Sequence, residues 1–315
     1  MQVAHGDRFA SWFFSGTSVR RDVSDDVEIA TNVYVCRRLD LSPGLWRDRL
    51  REWLGSVAMD ELEKSGLLLY ATAVGAAEHT LRQRCEDVLN GLLLQGVPYH
   101  QRRLTFLVGA NVDGETQIRK AEVCTKRLYH VCALEVGRSV LERAGILSQR
   151  VRIIQRNDGQ WARLFRAVRV LLDTNSIDNK HGERFHQLIR VVEGLVKTAA
   201  RHGQEEFAER AQTFTVPSQA MHSTLTEMYR IRGAIEHLKS PMEAVTGRDQ
   251  TRRERINRLT RQADALARFA VCRILESEEL FNIFATEQGV DAFWAHREDE
   301  RAAVCGAAID IRKIP

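Results

Sequence analysis

Tyr229-Arg230-Ile231-Arg232-Gly233-Ala234-Ile235-Glu236-His237 is the stretch on which the reading of this chain turns. It closes an amphipathic run that opens at Pro217, a residue suited to the first turn of a helix, and stops before Pro241. An arginine and a histidine five positions apart in an apolar helical pattern carry specific chemistry. Guanidinium is permanently charged and meets phosphate with two parallel donors. Imidazole moves protons at neutral pH. On an ideal helix, however, five positions turn through about 140°, so one regular helix does not aim Arg232 and His237 at one point. Arg230, seven positions before His237, shares its face and is a competing or helping cation. Gly233 weakens the helix locally. Spacing alone leaves His237 open as a catalytic or a surface histidine.

Working outward, apolar periodicity is helical from Gly159 to the end. Trp161, Leu164, Phe165, Val168, Leu171 and Leu172 mark one helix; Phe185, Leu188, Ile189, Val192, Leu195 and Val196 mark a second. Residues 205–214 read as a short third helix or an arm of a loop, and a long helix over 249–276 follows Gly247. Short connections imply antiparallel neighbours in a four- to five-helix bundle. The tail from Thr286, with Phe293 and Trp294, is expected to pack back on it. Arg248, Arg252 and Arg255 fall on the side of the long helix that carries its apolar stripe. They either contact phosphate or belong to a solvated face moderated by Asp249 and Glu254.

The first half reads as mixed α/β. Residues 1–26 are turn-rich, with Trp12, Phe13 and Phe14 as a docking patch. A strand is expected over 27–36, a helix over 45–63, a longer helix over 66–94, a strand at 104–108 and a hairpin return over 116–123 through the Asp113-Gly114 turn. A helix over 125–144 closes this half. The stretch from Gly109 to Thr116 has the glycine spacing of a phosphate-cradling loop, but Glu115 stands where lysine is needed. Its charge would repel phosphate, so a hairpin turn is expected there.

Composition narrows the classes. A net charge of +4 over 315 residues permits a nucleic-acid partner without demanding one. Six cysteines without CxxC or zinc-ligand spacing read as free thiols of a reducing compartment. No apolar run approaches the roughly 20 residues that span a bilayer, and the first 14 residues lack the pattern of a signal peptide. A cytoplasmic protein without membrane partner, metal or cofactor is expected. The fold class predicted is mainly α: a mixed α/β domain over residues 1–150, then a helical bundle over 151–315.

The pattern Tyr229-x-x-Arg232-x4-His237 near the end of a bundle helix resembles the HEPN ribonucleases, and within them the Apea-like branch. The upstream helix, from Arg184-Phe185 to Val192-Glu193-Gly194-Leu195, is similar to that branch's aromatic-rich helix with its embedded glutamate. The arginine-studded helix after the motif keeps the same order. The resemblance covers about residues 155–285. It departs at Gly233, where many members place a polar residue, and at Leu238, where a glycine is usual. It implies a HEPN-like bundle that forms a homodimer, bringing two Arg/His pairs into one cleft, and metal-independent RNA cleavage by 2′-hydroxyl attack. His237 would be general acid or base and Arg232 the phosphate holder. Glu193 would orient one of them or form a buried salt bridge, with Arg230 and Glu236 supporting. Arg248, Arg252 and Arg255 would meet RNA phosphates. The function implied is an endoribonuclease of defence or toxin type with RNA as partner, residues 1–150 serving a sensor or regulatory partner. The alternative is a non-catalytic module of the same fold that binds RNA or protein.

Overall fold

A computed structural model describes residues 3–14, 17–23, 26–37, 45–97, 104–112, 115–124, 134–157, 159–175, 181–198 and 203–315. The chain is mainly helical, with an N-terminal antiparallel sheet. It divides into two units that change over between Gln149 and Arg150, apart from a short segment beginning at Asn175 that groups with the first.

The first unit contains β1 (Asp7–Phe14), β2 (Thr17–Val19), β3 (Val27–Ala30), β4 (Val33–Cys36), α1 (Leu45–Glu63), β5 (Leu67–Val74), α2 (Glu78–Leu94), β6 (Leu104–Val112), β7 (Glu115–Cys124), β8 (Leu134–Val136) and the start of α3 (Arg138–Arg156). Six strands form one antiparallel sheet in the order β3-β4-β5-β1-β6-β7, while β2 and β8 pair in parallel. Phe9 and Phe13 of β1 join Leu50, Met59 and Leu62 of α1 in one apolar cluster. Toward α2, the Cys85 thiol donates to the Ala10 carbonyl.

Burial on both faces explains two corrections. Trp12, Phe13 and Phe14 are no docking patch: they lie in the central strand at 3%, 1% and 0% exposure. Residues 66–94 are not one helix but β5 followed by α2, with Gly75 at φ +63 between them. A strand covered on both sides reads as a continuous apolar run, and periodicity cannot separate that from a buried helix. Residues 27–36 form a hairpin of β3 and β4 rather than one strand, turning at Asn32 with φ +59. β6 and β7 pair as the expected hairpin; its Asp113-Gly114 turn lies outside the described residues. In place of a helix over 125–144 there are β8 and then α3 from Arg138, residues 125–133 lying outside those described.

Two close approaches tie α3 to this unit. A Cβ at Gly145 would stand 1.9 Å from the Ile29 carbonyl oxygen, and one at Gly91 would stand 2.2 Å from that of Ala144. Gly145→Ala must therefore push α3 off the β3 backbone. We expect a loss of about 1–3 kcal/mol in chemical denaturation of the full chain, the usual cost of overpacking; an unchanged midpoint would contradict it.

The second unit comprises α4 (Ala162–Asp173), α5 (His181–Val196), α6 (Gly203–Ala211), α7 (Gln219–Glu236), α8 (Asp249–Glu276), α9 (Glu278–Ile283), α10 (Glu287–Ala295) and α11 (Glu298–Cys305). α5 is its hub, packing against α4, α6, α7 and α8, with Phe185, Leu188, Ile189, Val192, Leu195 and Val196 at 0% exposure. The Asp264 carboxylate of α8 receives Arg184 from α5 at 3.1 Å and Arg268 at 2.9 Å. Phe293 and Trp294 are buried as expected, and the Trp294 indole donates to the Leu195 carbonyl at 3.1 Å. Pro217 precedes the first turn of α7 rather than entering it, because the Ser218 hydroxyl is the cap, accepting from the Met221 N–H at 3.1 Å.

Cys36, Cys85, Cys272 and Cys305 are buried free thiols. Among the described residues no helix is long and apolar enough to cross a membrane.

Candidate active site

α5 and α7 run against each other, and their facing side chains build one polar cluster within the apolar unit. Its centre is Glu193. One carboxylate oxygen receives the Arg232 guanidinium at 2.8 Å, and the other receives the Tyr229 hydroxyl at 3.1 Å. The Thr198 hydroxyl adds a long contact of 3.5 Å. Tyr229 and Arg232 lie three apart on α7, so they share a face, and the guanidinium carbon sits 5.4 Å from the ring centroid. Arg232 also reaches Glu236, one turn on, at 2.5 Å. Its side chain is 14% exposed.

The surroundings fix this geometry. The Tyr229 ring packs on Phe207 of α6 with centroids 5.1 Å apart. Gly203, opening α6, makes room for it: a Cβ there would lie 2.5 Å from the Tyr229 hydroxyl oxygen. Burial, then the charge of Glu193 and the hydrogen bond to it, holds the phenol above its ordinary pKa. Tyr229 is therefore a donor here and not a base. The Arg232 Nε is buried without a hydrogen-bond partner.

Of the residues singled out from the sequence, Arg232, Glu193 and Glu236 converge, with Tyr229 as a fourth member. Glu193 is ion-paired with Arg232 and not with His237. His237 stands apart. It is the C-cap of α7, exposed, and among the described residues its ring makes no hydrogen bond or ion pair. The helix ends there in a double closure, Lys239 N–H to the Ala234 carbonyl and Leu238 N–H to the Ile235 carbonyl, both 2.9 Å. That places Leu238 at the position where glycine is favoured. It takes φ +58 and leaves its side chain 97% exposed.

Arg230 and Arg248 are exposed and unpaired among the described residues. Arg252 reaches Asp249 at only 3.8 Å. Arg255 is committed to the fold, its fork closing on both Glu227 oxygens of α7. Among the described residues no group of three or more His, Cys, Asp or Glu side chains is disposed to hold a metal ion.

Comparison with protein-family models, with curated proteins and with solved structures finds no match. The site must be read from its own geometry.

One neighbour escaped the sequence reading. His186 lies two turns before Glu193 on the same face of α5, a seven-residue spacing that was the available signal. Both its ring nitrogens are buried without hydrogen-bond partners. Burial, then the charge of Arg232, with Arg190 in the same direction, holds its pKa below the ordinary value against the opposing charges of Glu183 and Glu236. The unfolded chain therefore takes up this proton first, so the native state loses stability as pH falls below about 6.5 toward the lower folded value. We expect His186→Gln to flatten the fall of thermal stability between pH 7 and 5. Parallel profiles for variant and wild type would refute this.

Proposed function

We propose that residues 151–315 form a metal-independent endoribonuclease of HEPN type, acting as a homodimer in which Arg232 and His237 of two copies share one cleft. The observation that carries this reading is a half-buried arginine, fixed by Glu193 under the Tyr229 ring, on the helix that ends in an exposed, unengaged imidazole. Arg232 holds the scissile phosphate, which takes the place of exposed Glu236, while Glu193 keeps the guanidinium aimed. The 2′-hydroxyl oxygen of the substrate bonds to phosphorus and gives up its proton. The bond to the 5′-oxygen breaks, and that oxygen takes a proton. His237 serves one of these transfers. The products are a 2′,3′-cyclic phosphate and a 5′-hydroxyl.

Dimerisation answers the geometry of α7, on which Arg232 and His237 point about 140° apart. Exposed Leu238, beside His237, is the apolar contact a second copy would cover, and nothing lies within 4 Å of where a Cβ on Gly233 would be. Arg230, Arg248 and Arg252 supply further charge toward RNA. In this reading the enzyme is of defence or toxin type, works in the cytoplasm, and takes its signal or regulatory partner through residues 1–150.

The test is RNA cleavage by purified full chain in excess EDTA, with end-group analysis of the products. Cyclic phosphate termini that appear without metal support the reading; intact RNA at every protein concentration rejects it. A second reading, a non-catalytic module that binds RNA or protein, draws on Arg232 being engaged by two carboxylates at once. It predicts salt-sensitive RNA binding without cleavage.

A further inference from the structure

A concavity of about 190 Å³ opens between α4 and α5, on a face of α5 adjoining the Glu193 cluster. Arg163 and Arg166 of α4, Arg190 and Gly194 of α5, and Glu287 at the start of α10 line it over a small apolar floor. At roughly 30 Å³ per water, it holds the equivalent of about six water molecules, room for one phosphate group and its ester oxygens.

The charges in it are unequally satisfied. Arg163 is locked: its fork meets both Glu287 oxygens at 3.0 and 2.8 Å, and its third donor meets the Gly194 carbonyl at 2.8 Å. Lys197 bonds Glu287 as well, at 2.9 Å. The one carboxylate in the concavity is thus already neutralised from two sides, and the two cations hold its pKa down to about 2. Arg166 and Arg190 remain. Both are exposed, and neither pairs with any described residue.

Gly194 is the independent observation. Glycine inside a helix costs about 1 kcal/mol relative to alanine, and packing does not explain it here, because an added Cβ would meet nothing within 4 Å. What the missing side chain preserves is open floor beneath two unpaired guanidiniums. Arg190 is also three positions before Glu193, a neighbour on the helix surface, and near enough to His186 to lower that group's proton affinity.

We propose that this concavity is a phosphate subsite that grips a backbone phosphate of the RNA strand whose scissile phosphate lies at Arg232. It rests on the ribonuclease reading. Two guanidinium forks converging from different helices suit a tetrahedral, multiply accepting group.

The experiment uses the full chain and a fluorescent single-stranded RNA made uncleavable by 2′-O-methylation, with affinity followed against salt, and sodium pyrophosphate titrated separately by calorimetry. Three variants are compared: Arg166→Gln with Arg190→Gln, Gly194→Leu, and Arg232→Gln. Gly194→Leu fills the concavity while keeping every charge and favouring the helix. We expect the first two variants each to lose about 10- to 100-fold in RNA affinity. The arginine pair should also flatten the salt slope by about 0.7 for each phosphate released. RNA binding that Arg232→Gln weakens but both pocket variants leave unchanged would overturn the subsite and leave the active-site reading standing. Pocket-dependent pyrophosphate binding by a chain that binds no RNA would overturn the RNA assignment together with the nuclease reading, and would give the concavity to a small phosphate compound.

Discussion

His237→Ala is expected to lower metal-free RNA cleavage by about 10²–10⁴-fold, the usual contribution of a positioned general acid or base. Affinity for uncleavable RNA and thermal stability should stay near wild type. The stability half of that expectation follows from the structure: the ring is exposed, has no partner among the described residues, and caps α7 through its backbone, whose N–H meets the Gly233 carbonyl at 3.1 Å. Surface changes of this kind usually stay within about 0.5 kcal/mol. The proposed dimeric site adds a sharper arm. When inactive His237→Ala and Arg232→Gln chains are mixed and allowed to exchange, a shared cleft regains one intact Arg/His pair and part of the activity returns. Single-chain sites would stay dead in the mixture, and equal cleavage by wild type and His237→Ala would end the catalytic role.

The second large effect belongs to Arg232. Arg232→Lys keeps the charge but loses the fork, and we expect about 10²–10³-fold slower cleavage, the scale of losing one preorganised donor to developing charge. Unlike His237, this residue is also structural. Truncation to Gln leaves the Glu193 carboxylate, 20% exposed, with only the Tyr229 and Thr198 hydroxyls. A loss of about 1–3 kcal/mol in stability should accompany it. Rates must therefore be compared below the unfolding transition. Glu236→Gln supplies the opposite sign: it removes the exposed carboxylate that competes for the guanidinium, so RNA should bind several-fold tighter. Weaker binding would show that Glu236 aligns the arginine instead of occupying it.

How far the sequence carried this reading differs between the two units, for a physical reason. In the helical unit each helix buries one stripe, so period and boundary are written together; α8 runs over Asp249–Glu276 as its apolar spacing requires. In the sheet unit the decisive strands are covered on both faces. β5 has six buried residues in succession and β1 likewise, so neither alternates. Trp12 to Phe14 then looked like a surface patch, and Leu67 to Val74 like the first turns of α2. At the site, spacing along one helix singled out Arg232 and His237 as candidates, with the angle between them. The Glu193 contact needed only one neighbouring helix and was within reach. The concavity of Arg163, Arg166 and Arg190 was not, because its charges come from two helices and its meaning depends on which of them Glu287 and Lys197 already satisfy. His186 escaped for a similar reason: the charge that acts on it, Arg232, belongs to another helix.

The place of β1 in its sheet governs how the protein is made. β1 is synthesised before both of its neighbours, yet Asp7 pairs with Val74 of β5 and Arg8 with Ala110 of β6. At 5–20 residues per second, β1 waits roughly 5–20 s before its second edge can be covered. Until β5 is made, Trp12, Phe13 and Phe14 lie on a strand with no partner, and until β6 follows that strand keeps one open edge, the profile of an aggregation-prone segment. Pairing across such distances is also slow once the chain is complete. Yield in expression should thus depend on how fast the sheet closes, and slower growth temperature or a holding chaperone should raise it more than any stabilising change in the helical unit.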